Sequence, residues 1–195
     1  MAEALLRHRL GALDLDARVS SVGSLFDDRP AEPAAVAALA RLGIDLSPHR
    51  ARRLSPETVG PADLVVAMEQ RHVREASVVP GGSFDKTFTL PDLVRRAEAA
   101  GARGTDPPET FTAWLGRLGA DRTRADAVAA RPELEIDDPM GLSPRRFRRS
   151  ATELAELIDR FVAVAWPEGA DATADASRPP AGSLPQPDHP PLRSM

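Results

Sequence analysis

Leu64-Val65-Val66-Ala67-Met68 runs without a polar residue between Asp63 and Glu69. A run this short with two adjacent valines suits a strand buried on both faces, and such a strand has to be covered from both sides. The flanking segments read as that cover. Glu69 to Ala76 follows as a helix, Lys86 to Leu90 (KTFTL) as a second strand, and Pro91 to Ala100 as a helix ended by Gly101. Upstream, Ala17 to Val22 (ARVSSV) is short and β-branched and stops at Gly23, which predicts a strand ending in a loop. Pro33 to Leu42 reads as a helix with Gly43 just past its end, and Ser55-Pro56 starts another short one. Strands alternating with helices predict a three-layer α/β/α domain with a short parallel sheet, in which a ligand sits at the carboxyl ends of the strands.

Ser143-Pro144 precedes a longer helical pattern. Phe147, Ala151, Leu154, Ile158, Phe161 and Ala165 keep a 3.6-residue period for five turns, which predicts a helix lying flat on the core. Gly104 to Pro132 is rich in charge, alanine and turn residues, with one helix expected around Phe111 to Leu118. Beyond Trp166 the composition changes: the last 29 residues hold seven prolines and three large apolar residues, Leu184, Leu192 and Met195. Ordering such a segment costs roughly 1–2 kcal/mol per residue with little burial to offset it. The expected organisation is a domain over residues 1–166 and a disordered proline-rich tail over 167–195.

The first residues, MAEALLRHRL, already follow a helical pattern. Leu6, Leu10 and Leu13 share one row with Met1 and Leu5 beside it, and no Ser, Thr, Asp or Asn precedes them to cap the helix. Nor does a strand come before it, although an anion site in this class of fold favours the N-terminus of a helix that follows a strand.

The chain contains no cysteine, which excludes disulfides and thiolate chemistry within its 195 residues. A net charge of −4 gives no reason to expect nucleic acid as partner. No apolar run approaches membrane-spanning length, and Glu3, Arg7 and Arg9 interrupt any signal-peptide pattern, so the expected compartment is the cytoplasm. His8, His49, His72 and His189 lack ligand spacing; neither a metal nor another cofactor is expected. Asp14-Leu15-Asp16 has the D-x-D spacing of aspartate-nucleophile phosphatases but follows a helix where that motif requires a strand. Arg145, Arg146, Arg148 and Arg149 form a basic cluster whose ordinary reading is a solvated face.

Five stretches in order, MAEALLRHRL, SVGS at Ser21–Ser24, GIDLSPHRAR at Gly43–Arg52, DLVVAMEQRHVREA at Asp63–Ala76 and DDPMG at Asp137–Gly141, resemble the low-molecular-weight protein tyrosine phosphatases. The resemblance covers roughly residues 1–164, apart from 101–130. Members of that family begin with a central strand and a C-x5-R-S-P loop before a helix starting M-A-E-A. The resemblance therefore implies that the central first strand is missing from this sequence, and that it and the phosphate-binding loop lie upstream of Met1. In the family the loop cysteine attacks phosphorus, and an aspartate of a D-P motif protonates the leaving oxygen and later activates water. That general acid and base maps onto Asp138. Ser21 and His49 match the serine and histidine that support the phosphate loop by hydrogen bonds. Met140 stands where the family commonly has a tyrosine flanking the substrate ring.

The implied substrate is a phosphorylated protein, with phosphotyrosine the family's type, or a small phosphomonoester. These residues alone, without the nucleophile, are expected to be inactive. A catalytically dead relative acting as a binding or scaffolding module is the alternative reading. An arsenate reductase-like protein is a further one, although that chemistry relies on additional cysteines.

Overall fold

The computed structural model describes residues 1–167. Helix α1 (Ala2–Ala12) buries Leu5 and Leu10 and has no side-chain cap at its start. Helix α2 (Pro33–Ala40) opens with proline, whose fixed φ suits a first helical position. It ends in a turn where Gly43 takes φ +75° and the Ile44 N–H donates to the Leu39 carbonyl at 3.0 Å. In the short helix α3 (Pro56–Val59) the Ser55 N–H donates to Thr58 Oγ1 at 3.2 Å.

Strand β1 (Val65–Ala67) leads into helix α4 (Gln70–Val78), and strand β2 (Thr87–Thr89) into helix α5 (Leu90–Ala100). The strands are parallel, with Val65, Val66 and Ala67 opposite Thr87, Phe88 and Thr89. β2 is fully buried even at its two threonines. Thr87 Oγ1 donates to the Ser83 carbonyl at 2.7 Å, and Thr89 Oγ1 accepts the Asp92 N–H at 3.4 Å as the cap of α5. Arg122 locks this strand from outside. Its guanidinium lies 3.8 and 3.9 Å from the Phe84 and Phe88 ring centroids and donates to the Phe84 and Thr87 carbonyls, both at 2.7 Å. Burial lowers its pKa to about 10.

Helices α6 (Phe111–Gly119) and α7 (Arg124–Val128) lie in the stretch that read weakly in sequence. Helix α8 (Pro144–Ala165) packs on α1, α2 and α5. All six residues of its expected apolar stripe are buried. Trp114 is wholly buried, with Phe111 and Phe161 at 6.0 Å between ring centroids, and its Nε1 donates to the Gly101 carbonyl at 3.2 Å. The end of α8 is held by Arg103, whose backbone N–H donates to the Val164 carbonyl at 3.0 Å and whose Nε donates to that of Ala165 at 2.7 Å. Carbonyls at a helix end need such external donors.

Two expectations need correction. Ala17 to Val22 does not form a strand; the chain there is irregular until a single parallel bridge joins Gly23 to Arg53. A strand exists through its ladder, and the groups of this segment are engaged otherwise: the Val19 carbonyl accepts from Arg7 at 2.7 Å, and the Ser21 hydroxyl donates to Glu3. Second, β1 is not buried on both faces. Val65 and Val66 are half-buried, because among the described residues the sheet has only two strands and β1 is one of its edges. The expected tail lies outside the described residues except for Pro167.

Candidate active site

Ala2–Ala12 form a helix because Leu5 and Leu10 can reach the core beneath α8, and that packing fixes Glu3 in the first turn. Its side chain is 8% exposed. Oε1 is paired with Arg7 one turn on and lies 3.8 Å from Arg52; Oε2 accepts from Ser21 Oγ and lies 3.5 Å from His49 Nδ1. Burial favours the neutral acid, but the hydrogen bonds from Ser21 and Arg7 and the charges of Arg7 and His49 outweigh it, so Glu3 titrates below its ordinary range. His49 is also lowered, first by burial; Glu3 opposes that shift, while the positive charges of Arg52 and Arg7 add to it.

His49 reaches Glu3 because the segment that follows it is stitched to the loop carrying Phe26. Gly23 N–H donates to the Arg52 carbonyl at 2.9 Å, Asp28 N–H to that of Ala51 at 2.8 Å, and Ala51 N–H to that of Arg29 at 2.8 Å. The loop reverses at Asp28, which adopts φ +52°, a left-handed conformation that Asp tolerates better than most residues. Phe26 protrudes, with the Arg29 guanidinium 4.6 Å from its ring centroid.

Asp138 is set by the carboxyl end of β1. The Ile136 N–H donates to the Met68 carbonyl at 2.8 Å, and the Gln70 N–H at the start of α4 donates to Glu135 Oε1 at 2.8 Å. From this anchor the chain turns outward at Pro139, where Asp138 Oδ1 accepts the Met140 N–H at 2.9 Å and Gly141 takes φ +74°. Arg71 holds Glu69 in two bonds of 2.8 and 2.9 Å. Its pKa is raised mainly by those bonds and in smaller part by the charge of Asp138. Asp138 is exposed, and Met140 forms one groove with Phe26, Arg29 and His49.

The structure thus brings Ser21 and His49 together on one carboxylate. Asp138 remains apart: among the described residues no hydrogen bond or ion pair joins it to that cluster, although Met140, two residues on, shares the groove of His49. Reading the sequence missed Glu3 as the hub and Phe26 as a wall. No local pattern marks Glu3, since Arg7 shares its helix face one turn on and the two read as an ordinary surface ion pair. No group of three or more metal-ligating side chains occurs among the described residues. No helix of theirs is long and apolar enough to cross a membrane.

Residues 1–113 match the family model described as low molecular weight phosphotyrosine protein phosphatase. The chain belongs to that family. A similar protein of Ralstonia nicotianae, described as "Probable low molecular weight protein-tyrosine-phosphatase EpsP", is 39% identical over 130 residues, covering 62% of this chain and 87% of the relative. The protein of the same description from Ralstonia solanacearum is 40% identical over 93 residues, which span 48% of this chain and 62% of the relative's length. Among solved structures, the low molecular weight protein tyrosine phosphatase of T. tengcongensis superimposes with a TM-score of 0.58 at 29% identity, covering 83% of this chain and 86% of that one. The low molecular weight phosphatase fold accordingly accounts for the short parallel sheet and its helices.

Proposed function

We propose that this chain carries the acid–base and supporting half of a cytoplasmic phosphomonoesterase that works through a cysteinyl-phosphate, with residues 1–166 as its domain. The observation that supports it most directly is the anchoring of the Asp138 loop to the carboxyl end of β1 through Ile136 and Met68. In this reading the thiolate comes from a C-x5-R-S-P segment ahead of Met1, since residues 1–195 contain no cysteine. Sulfur bonds to phosphorus as the ester P–O bond breaks, and the departing oxygen takes a proton from Asp138. Asp138 Oδ2 is the oxygen available for this, because Oδ1 already accepts the Met140 N–H. The carboxylate then accepts a proton from water as that water attacks phosphorus and the P–S bond breaks, giving inorganic phosphate and the thiolate.

Ser21 and His49 act on the phosphate loop from behind, and Glu3 fixes their positions. Phe26 and Met140 wall the groove through which a substrate side chain enters. A flexible methionine in place of a flat ring leaves the wall adaptable, which fits a phosphoprotein substrate without a strict demand for an aromatic leaving group.

A second reading, a binding module of the same family without catalysis, draws on one feature: Ser21 and His49 are already satisfied by Glu3. The test joins residues 1–195 in frame to the strand and C-x5-R-S-P loop of a relative and follows p-nitrophenyl phosphate. The joined protein should turn over and the 195 residues alone should not. Asp138→Asn in the joined protein should lower kcat by roughly 10²–10⁴-fold. A joined protein that folds but does not hydrolyse the ester favours the binding module.

A further inference from the structure

The first turns of α8 hold Arg145, Arg146, Arg148 and Arg149, all exposed. No ion pair reaches any of them among the described residues. Several arginines elsewhere are engaged: Arg96 binds Asp92, Arg117 binds Glu109, Arg160 binds Glu98. Four cations at a helix N-terminus also oppose the helix dipole, so they do not stabilise the helix they stand on. Glu153, one turn beyond Arg149, stays out of pairing distance, and Thr152 donates its hydroxyl to the Arg148 backbone carbonyl at 3.1 Å.

The cluster borders the Asp138 loop. Arg146 and Arg149 line a shallow groove together with Asp137, Asp138, Leu142 and the buried Ser150. Two carboxylates and two guanidinium groups line the groove, and the exposed Arg145 and Arg148 on the same turns of α8 add two further cations beside it, on a chain whose net charge is −4. A polypeptide with its reacting residue at Asp138 would have Arg146 and Arg149 beside it, since all three line that groove.

We propose that this arginine cluster at the start of α8, beside the Asp138 loop, binds an acidic stretch of a protein substrate next to the residue to be dephosphorylated. The inference rests on the phosphatase reading and names the substrate class for the same site. Charge complementarity selects an acidic polypeptide, because each guanidinium fork can donate two parallel hydrogen bonds to one carboxylate and four such groups stand here without an ion-pair partner among the described residues.

The test is fluorescence anisotropy with labelled peptides and the 195-residue chain. One peptide carries phosphotyrosine followed by several glutamates, a second has glutamines there, and two more lack the phosphate. The glutamate peptides should bind about tenfold more tightly than their glutamine counterparts, with or without the phosphate, and the difference should shrink as salt rises. Arg146→Gln with Arg149→Gln should abolish the difference; both sites are exposed, and circular dichroism checks that the fold is kept. Equal binding of the glutamate and glutamine peptides overturns the proposal. So does equal binding of a single-stranded oligonucleotide, or of phosphatidylserine vesicles, lost in the same double variant. Failure of the joined protein to hydrolyse p-nitrophenyl phosphate would instead remove the phosphatase reading and leave the peptide preference to be read on its own.

Discussion

Glu3 is where one residue decides the most. Its carboxylate is nearly buried and gathers a serine hydroxyl, an imidazole and two guanidinium groups, so Glu3→Ala leaves the Ser21 hydroxyl and the His49 ring without their partner. Such a loss costs about 1–3 kcal/mol and should appear in a urea titration. The pH dependence follows from the direction of both shifts. Glu3 is held below its ordinary 4.5 and His49 below its ordinary 6.5, so in each case the unfolded chain binds the proton more readily. Stability is therefore whole above pH 6.5, falls as His49 protonation pulls on the unfolded state below that value, and falls again below pH 4.5. Thermal melts across this range should show both steps, His49→Gln removing the upper and Glu3→Gln the lower. A flat profile between pH 7 and pH 5 would mean that the imidazole is solvated in the folded protein. The order of short motifs singles out Ser21 and His49, and both meet Glu3. Glu3 itself was not legible, because its role depends on a packing contact of α1 that no local pattern announces.

At the scale of elements, helices with a buried stripe were the most legible, since a 3.6-residue period over five turns leaves one face that can bury itself. α8 meets that expectation at every stripe position. Leu154, 3% exposed, sits in the middle of the stripe, and Leu154→Ala should destabilise by about 2–5 kcal/mol, read as a lowered urea midpoint with an unchanged slope. An effect below about 1 kcal/mol would mean that the core around α8 collapses onto the space. Strands were less legible because their stability is held in partners. Ala17 to Val22 has the composition of a strand and, among the described residues, no neighbour to pair with, whereas Thr87–Thr89 becomes one because β1 lies beside it and Arg122 clamps the Thr87 carbonyl. In the stretch from 101 to 130 the helix expected around Phe111 to Leu118 is α6, and the rest was opaque for another reason. The order of that remainder comes from single long-range contacts, such as Arg103 on the end of α8 and the Gly101 carbonyl on Trp114, which leave no periodic trace.

For the molecule as a whole, the half-buried Val65 and Val66 on the edge of a two-stranded sheet matter most. An apolar strand edge with free N–H and C=O groups is a template for another strand. If the family's central strand docks there, between β1 and the irregular 17–22 segment, it covers both valines and gives Ala17–Val22 the ladder it lacks. Several aliphatic side chains would then become buried, at about 2–5 kcal/mol each by the cost of removing them. In a chain of this size 1 kcal/mol moves Tm by roughly 2–4 °C, so the joined protein should melt at least about 10 °C above the 195 residues alone. It should also bind less of a hydrophobic dye and protect the amides of residues 17–22 from hydrogen exchange. Two melting temperatures that agree within a degree or two, with unchanged exchange at 17–22, would show that the edge of β1 does not receive this strand. The site would then have to be completed in some other way than by extending the sheet.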